Sequence, residues 1–308
     1  MLVLIAGITG TLGQRLATTA LSRGLSVRGL GRNPSSLPAY LSTRLESFVT
    51  STSFYDIPAL NLAVTGVSAI INAYAPNPLL DLDGHLLLLR AAERAGVKIF
   101  IASSWSRDWS NLKFGDFEHY NNHIAFEHQV ATTSTIKPVY IITGVFADLL
   151  FTPYGPGMFT VSDSGEGEGK MRYWGEGDRD VYPWSTQDDA SEWTIDILLH
   201  GKGVQNGEGG FFRVRSGVTC VREMAAVYEE VHGRKVEVER VGSTEDLERE
   251  LKVLREVRGR KRAIEYMGQA AAIVASKGLW EHPVVTKLEQ FREPTSLEEW
   301  LGQQKRKA

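Results

Sequence analysis

The chain has 308 residues, 43% hydrophobic and 23% charged, with a formal net charge of −3 and a single cysteine, Cys220. That length and balance suit one large or two unequal globular domains with a real core. They exclude an intramolecular disulfide framework, and they supply no positive excess for nucleic acid and no apolar run long enough to span a membrane.

Leu2-Val3-Leu4-Ile5-Ala6 is apolar with no basic flank, so it reads as a short buried strand and not as a leader. With no Asn-x-Ser/Thr sequon, a soluble cytoplasmic protein is the expectation. The strand runs into Gly7-Ile8-Thr9-Gly10-Thr11-Leu12-Gly13, and Leu12, Leu16 and Ala20 then recur at helical spacing. Strand, glycine turn and helix in that order form the setting in which glycines bind a dinucleotide. Gly7 turns the chain off the strand. Gly10 lets backbone amides approach a pyrophosphate, and Gly13 lets the helix pack close to the sheet. Thr9, Thr11 and Leu12 complete the loop, which places the pyrophosphate at the positive end of the helix. Thr11 with Gln14 fits a capping box.

Leu25–Gly31 reads as a second strand, ending in the turn Arg32-Asn33-Pro34-Ser35-Ser36. An NAD site wants a carboxylate here for the ribose, and an NADP site wants a cation for the 2′-phosphate. No Asp or Glu precedes Glu46. Arg32 stands where the carboxylate would be, with Asn33 and Ser35 as further donors, and its planar fork suits phosphate. NADP(H) is therefore the expected cofactor, although a plain solvated turn would use the same residues.

Further strands are predicted over 46–50, 67–74 and 97–102, with helices over 58–63 and 81–95 and a turn at Pro76-Asn77-Pro78. This alternation argues for a parallel, doubly wound α/β sheet with ligands beyond the carboxyl ends of its strands. Ala73, Tyr74, Ser103, Ser104 and Trp105 occupy such ends. Residues 105–120 are rich in aromatics, including Trp109, Phe114, Phe117 and Tyr120. A helix over 120–133 and a strand over 139–143 follow, running into Gly144-Val145-Phe146. Beyond Phe151, Tyr154 and Phe159, the glycine-rich acidic stretch 162–177 has the composition of a mobile lid. Glu166, Glu168, Glu176, Asp178 and Asp180 read there as solvated.

A helix over 188–199 should return to the sheet. A strand over 211–214, a helix over 221–232, a strand over 235–241 and a helix opened by Ser243 come next. The rest is helical and charged, with Arg258-Gly259-Arg260-Lys261-Arg262 as a solvated helix end. The expected organisation is a Rossmann domain over 1–150, rejoined by 186–202, and a smaller α+β substrate domain drawn mainly from 151–308.

Several segments together resemble one family, the NmrA-like and isoflavone-reductase-like proteins among the atypical short-chain dehydrogenase/reductases. They are Gly7-x-x-Gly10-x-x-Gly13, Val27–Pro34, Gly66–Ile71, Thr143–Phe146, Thr186-x-x-Asp189 and Gly233-Arg234-Lys235, in order along most of the chain. The resemblance implies a Rossmann domain, NADP(H) and a small C-terminal substrate domain. It leaves the chemistry open, because the family includes reductases, non-redox enzymes and NADP-sensing regulators.

Reductases of this fold need a proton donor for the developing oxyanion. The superfamily's Tyr-x-x-x-Lys is absent. The resemblance implies a lysine four residues before Glu127, but His123 stands there, three residues after Tyr120. His123 is open to three readings: a proton donor held charged by Glu127, a metal ligand with His119 and Glu127, or part of a polar helix face. Ser103 and Ser104 are candidates to orient a substrate carbonyl, with Ser104 placed beside Tyr120 and His123 as catalytic. Trp105, Trp109, Phe151 and Tyr154 are expected to line the substrate, and no metal is expected. The first expectation is an NADPH-dependent reductase of a small aromatic or polyketide-like molecule. Alternatives are an NADP(H)-retaining enzyme of isomerisation, cyclisation or elimination, and a non-catalytic NADP(H) sensor with a protein partner.

Overall fold

The computed structural model describes residues 1–75, 80–161, 168–280, 285–286 and 293–307. Its strands are β1 (Leu2–Ala6), β2 (Ser26–Gly31), β3 (Ser47–Thr50), β4 (Ala69–Asn72), β5 (Ile99–Ile101), β6 (Val139–Ile142), β7 (Val145–Phe146), β8 (Thr160–Val161), β9 (Gly169–Trp174), β10 (Tyr182–Ser185), β11 (Gly210–Arg213), β12 (Gly217–Thr219) and β13 (Val236–Gly242). The α-helices are α1 (Thr11–Ser22), α2 (Ala39–Ser42), α3 (Ile57–Val64), α4 (His85–Arg94), α5 (Asn121–Thr133), α6 (Ala147–Leu150), α7 (Gln187–His200), α8 (Val221–His232), α9 (Thr244–Arg258), α10 (Met267–Ser276) and α11 (Leu297–Lys307).

The main sheet is parallel throughout, in the order β11-β6-β5-β4-β1-β2-β3. Its central strands β1, β4 and β5 are apolar at every position but Asn72, because both faces are covered. Val3, Ile5, Ile71, Ile101 and Ile141 face a layer that includes Leu16 and Ala20 of α1 and Ile197 of α7. Leu4, Ala6, Ile70, Phe100 and Ile142 face the other, with Leu60, Leu88 and Ile124. Strand order reverses between β4 and β1, and a crevice opens beyond their carboxyl ends.

Helix α7 lies against α1. Arg23 reaches both Glu192 and Asp196 at 2.9 Å, and Arg15 reaches Asp188 at 2.7 Å. Thr186 caps α7 by accepting from the Asp189 amide at 3.0 Å, while Asp189 accepts from the Ser216 hydroxyl at 2.7 Å. That explains a Thr-x-x-Asp pair as a structural joint.

Two small sheets, β12-β10-β7 and β13-β9-β8, are built largely from the second half of the chain. They correct the lid reading. Gly169–Trp174 forms β9, and its register with β13 joins residues 67 apart, as in Lys170 and Glu237. Asp178 is buried beside Arg222 rather than solvated. Residues 162–167, Glu166 among them, and the Pro76–Pro78 turn fall outside the described residues. The Thr11 cap is also corrected. Gly10 is the N-cap of α1 with no side-chain bond, and Gln14 donates back to the Thr9 carbonyl at 3.0 Å. At the other end, Ser243 and Asp246 do form a capping box for α9. The basic stretch follows that helix, where Arg258 and Arg262 both turn to Glu265.

Candidate functional site

Gly7 leaves β1 with φ +78°, and a Cβ there would lie 2.5 Å from the Ala73 carbonyl oxygen at the end of β4. A Cβ on Gly13 would overlap the Gly7 carbonyl oxygen, so only glycine lets α1 sit this close to β1. Gly10 is different. A Cβ would meet nothing nearer than Gly7 O at 3.3 Å, so the room above this loop faces the crevice. The first-turn amides of Thr11, Leu12 and Gly13 have no intrahelical acceptor, and no side chain caps them.

The loop forms one wall of a cleft of about 150 Å³, bounded also by Thr9, Arg32, Ser51, Phe54, Ala73 and Tyr74. No Asp or Glu lines it. Arg32 is exposed, lies over the Phe54 ring at 5.9 Å and has no carboxylate partner among the described residues. Asn33 accepts from the Ser35 amide and hydroxyl at 3.1 and 2.7 Å, which fixes the turn. Ser51 and Phe54 were not anticipated. They follow β3, whose end meets β2 beside Arg32, and nothing in their sequence marks them. The cradle therefore fits a dinucleotide phosphate and, beside Arg32, a further anionic group.

Ser103 donates to the Tyr74 carbonyl at 3.0 Å and ties the ends of β4 and β5. Tyr74 itself is buried against Phe54 and His85. Ser104 is a correction. It is 1% exposed, its hydroxyl accepts from the Ile141 amide at 2.7 Å and donates within the sheet, so its bonds bridge β5 and β6. Trp105 is another. Its indole donates to Thr194 Oγ1 at 2.8 Å, so it holds α7 on the opposite face. Gly144 has φ +75° with the Pro183 carbonyl where a Cβ would be, and Val145 and Phe146 pair with β10.

On the other face, Trp109 stacks on His123 at 5.8 Å and 11°, and meets Tyr140 and Phe211 edge-on. Tyr120 lies 5.5 Å from His123 and accepts from the Arg107 amide at 3.2 Å. Phe151 packs on Phe159 and Tyr228, away from this group, while Tyr154 is 48% exposed.

Burial and then His119 push His123 down to about 4. Burial and then His123 push His85 down to about 3. Glu127 does not hold His123 charged as expected. Its near partner is His128 at 3.7 Å. At neutral pH, His123 is thus an uncharged imidazole that can accept a proton but has no cationic proton to give. Among the described residues, no three His, Cys, Asp or Glu side chains are placed to hold a metal. Likewise no helix is long and apolar enough to cross a membrane.

A family model described as the NmrA-like family matches residues 1–301. The chain belongs to the NmrA-like family. This NmrA-like protein is 28% identical over 160 residues to a photosystem II assembly factor of Guillardia theta, a match covering 49% of the chain and 48% of that relative. The match therefore spans about half the length of each. Solved structures share its fold, among them the following two. The leucoanthocyanidin reductase–NADPH complex of Vitis vinifera superposes with a TM-score of 0.73 at 19% identity, over 99% of both chains. The NADPH-dependent quinone oxidoreductase of Escherichia coli, complexed with NADPH, gives 0.71 at 18% identity, over 98% of this chain and 99% of that one.

Proposed function

We propose that this NmrA-like protein is an NADP(H)-dependent reductase of a small aromatic molecule, with its substrate region drawn mainly from residues 151–308. The observation that carries the reading is the cleft beyond β1, β2 and β4, with no Asp or Glu in its lining and with Arg32 at its edge, which has no carboxylate partner among the described residues. Gly7, Thr9, Gly10 and the amides of Thr11, Leu12 and Gly13 hold the pyrophosphate. Arg32 and Asn33 take the 2′-phosphate. Ala73 and Tyr74 border the cofactor, and Ser103, Gly144, Val145 and Phe146 continue that border past β5 and β6. NADPH supplies a hydride when bound.

The remaining work falls to the chain's own side chains. Trp109 stacked on His123, with Tyr140 edge-on to it, forms an apolar wall that excludes water beside the reacting carbonyl. The Tyr120 hydroxyl holds the proton that a developing oxyanion would need, and the backbone N–H of Arg107 fixes that hydroxyl. His123 packs against Tyr120 as an uncharged neighbour.

The neutral His123 favours a second reading as well. Its imidazole is unprotonated at neutral pH and can accept a proton, but burial makes it a weak base, so it suits isomerisation or elimination with NADP(H) retained only where the substrate proton is already acidic. The two readings separate on cofactor consumption. NADPH absorbance should fall with turnover when the protein is offered quinones and leucoanthocyanidin, and Tyr120→Phe should lower kcat by about 100-fold with NADPH affinity unchanged. Product formed without net NADPH oxidation would overturn the reductase and leave the second reading standing.

A further inference from the structure

The loop leaving β5 carries a charge that the reductase reading does not use. Arg107 is only 5% exposed. Its guanidinium lies over the Trp280 ring, 4.5 Å from the centroid. Its Nε and Nη2 are buried with no hydrogen-bond partner, and no carboxylate pairs with it among the described residues. The nearby acids are engaged elsewhere. Asp108 holds Arg213 at 2.6 Å and Ser110 at 2.6 Å. Glu118 holds Arg255 at 2.7 Å, and Asp178 holds Arg222.

Desolvating an unpaired charge is among the largest costs a fold can carry, and arginine cannot shed its proton to avoid it. Stacking on Trp280 offsets part of that cost. It uses the face of the guanidinium and leaves the edge donors free. The surroundings add donors and aromatic walls. Arg107 bears on His119, which burial and then this charge hold below its ordinary value. It also bears on the buried Tyr182. Phe117 meets Trp280 edge-on at 5.4 Å. The Arg107 amide binds the Tyr120 hydroxyl, so the charge belongs to the loop that carries the proposed proton donor. A planar carboxylate is the anion that two parallel N–H groups match best.

We propose that Arg107 recognises a carboxylate on the substrate, so that the molecule reduced is an aromatic acid rather than a neutral aromatic. The assignment rests on the reductase reading for where the substrate lies. The probes are 1-naphthoate and its uncharged analogue 1-naphthamide, titrated by tryptophan fluorescence against the full chain with and without NADPH. The wild type is expected to bind naphthoate about 10-fold more tightly than naphthamide. Arg107→Gln should remove that preference and leave the affinity for naphthamide as it was. Arg107→Lys keeps the charge without the fork and should retain part of the preference. Because Arg107→Gln removes a buried charge with no carboxylate partner among the described residues and gives up only the stacking on Trp280, it should unfold within a few degrees of the wild type. Equal affinities, no binding of naphthoate, or a preference that survives Arg107→Gln would each overturn the proposal. NADPH binding in the same samples reports separately on the reductase reading, and the naphthoate titration without NADPH decides on Arg107 even if that reading fails.

Discussion

Among the described residues, Arg32 and Arg107 are both cations without a carboxylate partner, and they differ in what surrounds them. Arg32 sits in water at the rim of the cleft, where it costs little and waits for phosphate. It was legible because the chain has no acid before Glu46, so the position after the second strand could be read by elimination. Arg107 was not legible. Asp108 beside it suggests a local pair, but in the loop beyond β5 Asp108 turns to Arg213 instead. Ser103 and Ser104 differ likewise: Ser103 ties the end of β5 to Tyr74, while Ser104 is bonded to Ile141. Arg32 offers the sharper test of the cofactor. Arg32→Ser should weaken NADPH by about 10- to 100-fold, as expected for lost charge-assisted bonds, while NADH affinity stays the same. Fluorescence titration with both nucleotides checks this, and equal losses for the two would remove Arg32 from the 2′-phosphate.

At the scale of elements, the well-read pieces are those whose signals are local. Helix α8 spans Val221–His232 as its spacing predicts, and Ser243 with Asp246 marks the start of α9. Strands β9 and β10 were missed because their partners are distant. Glycines and acids around β9 imitate a loop, and Pro183 inside β10 argues against a strand until its neighbours β7 and β12 are known. Helix α9 also reaches the site loop through Arg255, which binds the carbonyl of Gly115 at 2.8 Å and the largely buried Glu118. This contact anchors the segment that presents Tyr120. Arg255→Met should therefore cost about 1.5–3 kcal/mol in stability, since the Glu118 carboxylate loses its charged partner. In the reductase assay, KM for the aromatic substrate should rise while NADPH affinity holds. Urea unfolding together with steady-state kinetics tests both halves, and a change confined to NADPH binding would contradict the anchoring role.

For the whole molecule, the placement of basic groups sets how stability answers to pH. His85 and His123 lie inside the layer that α4 and α5 form against the sheet, and burial holds them at about 3 and about 4 against an ordinary 6.5. His119 and His232 are lowered as well, each first by burial. The unfolded chain takes up protons on these imidazoles near pH 6.5, whereas the folded chain does not until the pH is much lower. Across that interval the unfolded state binds more protons, so stability is fully present above 6.5 and is lost as the pH falls. His85 and His123 together should remove about 4 kcal/mol between roughly pH 7 and pH 5, at about 1.4 kcal/mol per unit for each group. That window lies above the ordinary range of carboxylates; burial raises Asp180 and Asp196, so the histidine share is read as the difference between the wild type and the double variant below. Urea unfolding at several pH values should show the decline in the wild type. The double substitution His85→Phe and His123→Gln should flatten most of it, because the replaced side chains no longer differ in protonation between the two states. A slope unchanged in the double variant would mean that neither ring is held neutral by the fold. It would also remove the physical ground for treating His123 as an uncharged neighbour of Tyr120.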